Sequence, residues 1–172
     1  MTTLMNCLVH SEYSFILEND SALFRPLIVF LQESVANLGL GDAATQTRLG
    51  VALEEALANA LLHGNLEVSS SLKEEGDQAY FALIEQRRQT KPYCDRHIFV
   101  NARISRDEAV FVIRDEGIGF DPSLLPDPTD PANLERISGR GILLMRTYMD
   151  EVAYSGVGNQ VTLIKRRHAD GH

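Results

Sequence analysis

The chain predicts a two-layer α/β sandwich, with a mixed, mostly antiparallel sheet covered by helices on one face. Three patterns predict it. Apolar residues alternate with polar ones in "YSFILE" (13–18), "RHIFVNARIS" (96–105) and "AVFVIRD" (109–115), which reads as strands. Two stretches between the first and second of these carry apolar residues at helical spacing. The end of the chain, "EVAYSGVGNQVTLIKRR", reads as a hairpin turning at Gly156 to Asn159.

Each element follows in order. Asn19, Asp20 or Ser21 caps a first helix whose stripe is Leu23, Leu27, Phe30, Leu31 and Val35, closed by Gly39 and Gly41. A second helix runs from near Asp42 to His63, with Gly64 expected in the left-handed C-terminal conformation. Residues 66–97 are polar and charged, but Ala79, Tyr80, Leu83 and Ile84 share a face, so a third helix should end near Arg88. It would dock on the domain body or on a second chain. Four of the six prolines fall in 121–138, which makes that stretch a loop. "SGRGILLMRTYMDEV" passes from a glycine turn into a last helix.

With 172 residues, the chain suits one domain, 1–172. A net charge of -8 argues against a nucleic-acid surface. Cys7 and Cys94 lie far apart and form no Cys-x-x-Cys pair, so neither zinc nor a disulfide framework is expected. The opening "MTTLMNCLVHSEY" has neither the basic start nor the apolar region expected of a signal peptide, and apolar runs such as "LIVFL" (27–31) are too short to span a bilayer. A cytoplasmic protein without a membrane partner is the expectation.

The second helix poses a chemical question. "EEALANALLHGN" (54–65) should simply seal a core, yet Glu55, Asn59 and His63 follow one another at four-residue steps along one edge of its apolar stripe. Periodicity alone reads Asn59 as a satisfied core-edge amide and His63 as a partner of the helix end. Glu54 projects elsewhere, into solvent. Further on, Asp115 shares a strand face with Phe111 and Ile113, so its carboxylate should be partly buried and in need of donors. Gly117 and Gly119 follow, bare enough for a planar ligand to lie against. Gly139 and Gly141 open the last helix, where free N–H groups suit a phosphate chain. No Gly-Lys-Ser/Thr follows, so this is not a common P-loop.

Together, in this order, Glu-x-x-x-Asn-Ala-x-x-His-Gly, Asp-x-Gly-x-Gly-Phe and Gly-x-Gly resemble the GHKL ATP-binding superfamily. Small size and "GRGILLMRTYMDEV" are most similar to bacterial anti-sigma factor serine-protein kinases. The likeness covers roughly residues 13–166 and implies a Bergerat-type fold binding ATP and magnesium. By position it makes Asn59 the magnesium ligand, Glu55 the general base, and Asp115 the acceptor of the adenine amino group. It also gives Gly117 and Gly119 the base pocket, Gly139, Arg140 and Gly141 the phosphate turn, and Thr162 a place near adenine. The loop at 121–138 falls where the family keeps its ATP lid, and 66–97 is an insert longer than compact anti-sigma kinases carry.

The implied activity is ATP-dependent serine/threonine protein phosphorylation in a bacterial partner-switching pathway. Its substrate would be a small anti-sigma factor antagonist; a sigma factor and a second copy of the chain are further candidate partners. Two rival readings are a non-catalytic, nucleotide-gated protein-binding module and the detached catalytic domain of a histidine kinase. None of the five histidines sits in an acceptor helix with an acidic neighbour and a following proline, which disfavours the last.

Overall fold

The computed structural model describes residues 3–124 and 140–169. Five strands form one sheet: β1 (His10–Leu17), β2 (Ile98–Ser105), β3 (Glu108–Arg114), β4 (Glu151–Tyr154) and β5 (Gln160–Arg166). Their order is β1-β2-β3-β5-β4, and every neighbouring pair is antiparallel. Short links at 106–107 and 155–159 join β2 to β3 and β4 to β5, which is why those pairs run in opposite directions. The first strand starts three residues earlier than its apolar alternation, because the polar residues His10 to Glu12 still pair with Ser105 to Arg103.

Alternation sorts the sheet into two faces. Ile98, Val100, Ala102 and Ile104 of β2, Ala109, Phe111 and Ile113 of β3, and Val161 and Leu163 of β5 are buried on one side. The other side is partly polar, with Ser14 donating to Asn101 at 2.7 Å and Arg103 bridged to Glu12 at 2.8 Å. Among the described residues, the helices cover the buried side.

That cover is α1 (Phe24–Asn37), α2 (Ala43–Asn59) and α5 (Arg140–Tyr148), with α2 touching both of the others. Phe24, Leu27, Ile28, Leu31 and Val35 of α1 face Leu49, Ala52, Leu53, Ala56 and Leu57 of α2 across the core. Asp20 accepts from the Ala22 N–H before α1, and Asp42 accepts from the Thr45 N–H to cap α2.

The insert holds two helices, α3 (Ser70–Glu75) and α4 (Asp77–Arg88), the second ending at the expected residue. Its inward stripe is narrower than expected. Ala79 is exposed, Tyr80 is buried, and Leu83 and Ile84 pack against the core. The helix thus lies on the body of its own chain. No helix among the described residues is long and apolar enough to cross a membrane. Residues 125–138 of the expected lid lie outside the described residues.

Candidate functional site

A cavity of about 700 Å³ opens where the end of α2, the end of β3, the first turn of α5 and the insert meet. Glu55, Asn59 and His63 all line it, so the polar row of the second helix faces a cavity and not a sealed core. Glu54 is exposed.

The end of α2 departs from the expected cap. Residues Ala60–Asn65 continue as a π-helical turn, a widened geometry that recurs at functional sites. Gly64 has no positive φ and caps nothing; it lies inside the turn. What requires glycine is proximity, since a Cβ there would overlap the carboxyl carbon of Asp115. Gly117 obeys the same constraint, because its Cβ would overlap the Gly64 carbonyl. The left-handed residue is instead Glu67, at φ 51°. His63 is exposed, and its Nδ1 lies 2.6 Å from the Val68 carbonyl oxygen.

Asp115 is 8% exposed and lines the cavity at the end of β3, on the face of Phe111 and Ile113. Its Oδ1 accepts the Gly117 N–H at 2.8 Å. Burial pushes its pKa up from 3.8 to about 6, with the Gly117 N–H and the nearby Arg96 charge pulling the other way. A carboxyl with a folded pKa above its unfolded value stabilises the fold only when protonated. That contribution is complete below pH 3.8 and is lost as pH rises through about 6.

The loop carrying Asp115 is clamped from both sides. Asn65, fully buried, accepts the Glu116 N–H at 2.7 Å and donates to Asn19 Oδ1 at 2.8 Å and to the His97 carbonyl at 2.9 Å. On the other side, the Asp115 N–H donates to the Asn159 carbonyl at 2.9 Å, and Asn159 Nδ2 donates to the Asp115 carbonyl at 3.1 Å. Gly119, at φ 74°, passes so close to the Val157 carbonyl that a Cβ would overlap it. The sequence reading missed both asparagines as site residues. Asn65 directly follows His-Gly, and by its sequence Asn159 reads only as part of a hairpin turn.

At the far end, Glu55 lies against α5. A Cβ on Gly141 would overlap a Glu55 carboxylate oxygen. Burial, followed by the charge of Glu54, raises the Glu55 pKa, and Lys73 opposes both. Arg140 and Gly141 also line the cavity, but as residues of α5 itself and not of a turn before it. Gly139 lies outside the described residues.

Thr162 is not among the lining residues. Its neighbours Val161 and Leu163 take the buried face, so Thr162 turns to the opposite one, where it pairs with Val112 and Ala153. Gln160 and Val161 line the cavity in its place. Gly117 stands behind Gly64 and is not itself in the lining.

The insert is fastened beside this site by two cations. Arg87 donates to the carbonyls of Leu66 and Glu67, and Arg96 to the Asn65 carbonyl at 2.8 Å and Glu67 Oε1 at 3.0 Å. Both guanidinium groups also sit over the Tyr93 ring, at 4.9 and 5.2 Å from its centre.

The donor set fits a ligand with a flat, amino-bearing end and an anionic end. A buried carboxylate beside a bare glycine wall accepts an amino hydrogen at one end. The Asn59 amide and the Arg140 guanidinium line the same cavity. No cluster of three or more His, Cys, Asp or Glu side chains able to hold a metal occurs among the described residues.

The family model described as a histidine kinase-like ATPase domain matches residues 17–165. No curated protein matches the chain. The family match spans β2, β3, β4 and all of β5 but its last residue, with only the last residue of β1, together with every described helix lining the cavity. The chain belongs to the histidine kinase-like ATPase domain family.

Proposed function

We propose that the protein is an ATP-binding serine/threonine protein kinase of the anti-sigma type, phosphorylating a small antagonist protein. One observation carries the reading: Asp115, Asn59, Glu55 and Gly141, drawn from three separate sequence motifs, line a single cavity. ATP supplies the transferable phosphoryl group and magnesium neutralises its charge, so the protein's work is mostly positioning. Asp115 accepts the adenine amino hydrogen. Gly64 and Gly117 leave room for that carboxylate, and Gly119 shapes the adjoining wall. Asn59 would hold magnesium, Arg140 and Gly141, which Gly139 precedes in the sequence, would face the phosphates, and Glu55 takes the proton from the acceptor hydroxyl oxygen. Thr162 has no role here. The same reading treats 1–172 as one domain with an insert at 66–97 and a lid at 121–138.

Replacing Asp115 by Asn should weaken ATP about 10- to 100-fold, the worth of a hydrogen bond to a charged group. Calorimetry decides this; equal binding by the variant removes Asp115 from recognition. Proton linkage gives a second expectation. The ligand needs the carboxylate ionised, whereas the free protein holds its pKa near 6. Binding at pH 6 should therefore release about half a proton on average, and it should weaken as pH falls below that value. Titration in two buffers of different ionisation enthalpy reads the proton directly, and identical apparent enthalpies would contradict the assignment.

Phosphotransfer itself is tested by incubating the protein with labelled ATP and candidate antagonist proteins. Label on an acceptor serine supports the kinase. Protein that binds ATP and labels nothing is a nucleotide-gated binding module.

A further inference from the structure

The insert contributes more than cover. Ser70 and Lys73 of α3 and Tyr80 of α4 line the same cavity as Glu55 and Asn59. The described lining carries three carboxylates, Glu55, Glu67 and Asp115, against two permanent cations, Lys73 and Arg140. Glu67 is already held by Arg96 at 3.0 Å. Lys73 takes part in none of the salt bridges among the described residues. Its ammonium sits 5.8 Å from the centre of the Tyr80 ring, a contact at the outer limit for such a pair. Its charge nevertheless reaches Glu55. A lysine on a short surface helix is ordinarily just solvated. This one is directed into an acidic cavity by a helix pair that Tyr80, Leu83 and Arg87 fix to the body.

We propose that Lys73 is a phosphate-binding residue of the nucleotide site, so that the insert forms one wall of that site and distinguishes ligands by their phosphates. The inference rests on the nucleotide reading above. The step is a change of partner: the ammonium leaves the Tyr80 ring and donates to a phosphate oxygen, a stronger, charge-assisted bond. No bond to the base is involved.

Calorimetry with adenosine, ADP and ATP on the unmodified protein, Lys73→Ala and Lys73→Arg tests it. For Lys73→Ala, ATP affinity should fall about 5- to 20-fold, the lower part of the range for charged hydrogen bonds because the side chain is exposed. Adenosine affinity should stay within about twofold, since an uncharged ligand gains nothing from the ammonium. Lys73→Arg should keep most of the ATP affinity, and raising the salt concentration should narrow the gap between Lys73→Ala and the unmodified protein. Equal losses for adenosine and ATP would assign Lys73 a merely structural role and overturn the proposal. So would unmodified protein that binds ATP no better than Lys73→Ala does. Unmodified protein that binds none of the three ligands overturns the nucleotide reading itself, and this proposal with it.

Discussion

Glu55→Gln is expected to lower phosphotransfer to an acceptor serine by about 10²–10⁴-fold, the usual contribution of a general base. ATP affinity should hold or rise slightly, because a carboxylate beside a triphosphate does not help binding. The geometry makes this a clean separation. Glu55 reaches the α5 end of the cavity and lies against Gly141, whereas Asp115 sits at the β3 end. Glutamine keeps the size and hydrogen bonding of the side chain while removing the base. Burial that raises the Glu55 pKa also makes it a readier proton acceptor than a solvated carboxylate. Single-turnover transfer measured beside equilibrium ATP binding gives both numbers, and transfer at the original rate would exclude Glu55 from the chemistry.

Gly64→Ala should damage the fold and the base pocket together. The added carbon would overlap the Asp115 carboxyl carbon, and Asp115 cannot retreat because Gly117, Asn65 and Asn159 fix its loop. Overpacking of this kind costs about 1–3 kcal/mol of stability. Displacing the carboxylate should also forfeit at least the 10- to 100-fold in ATP affinity assigned to Asp115→Asn. Denaturant unfolding and calorimetry on one preparation read the two losses separately. A Gly64→Ala protein with unchanged ATP affinity would mean that Asp115 is not the base-recognising group.

Much of this was legible in the sequence because the relevant signals are local. The alternation in β2 and β3 and the start of the second helix near Asp42 are each written within a few residues and form as read, whereas the stripe of α1 is displaced: Leu23 and Phe30 are exposed, and Phe24 and Ile28 take the buried places. The order of the glycine motifs pointed to one site because the chain returns Asp115 and Gly141 to the end of α2. Other features depend on geometry that spacing does not carry. A steady helical period put Gly64 at a cap, and the π turn absorbed it instead. Thr162 was placed by resemblance, whereas strand parity decides its face, and one residue of offset reverses that face. Asn65 gives no signal because the three partners of its side chain, Asn19, His97 and Glu116, come from distant segments. Lys73 gave none because the docking of the insert is a long-range event.

The pairing of β1 has a consequence for how the chain reaches this state. His10 pairs with Ser105 and Leu17 with Ile98, so every rung of that ladder closes a loop containing α1, α2 and the entire insert. During synthesis the first strand has no edge to join until β2 has left the ribosome. Until then, the apolar stripes of α1 and α2 have only each other for shelter. Non-local pairing of this kind slows folding, and it exposes nascent helices to aggregation in the interval. Slow passage through residues 66–97 would lengthen that interval, so the segment that walls the cavity also sets how long the unfinished core waits for its sheet.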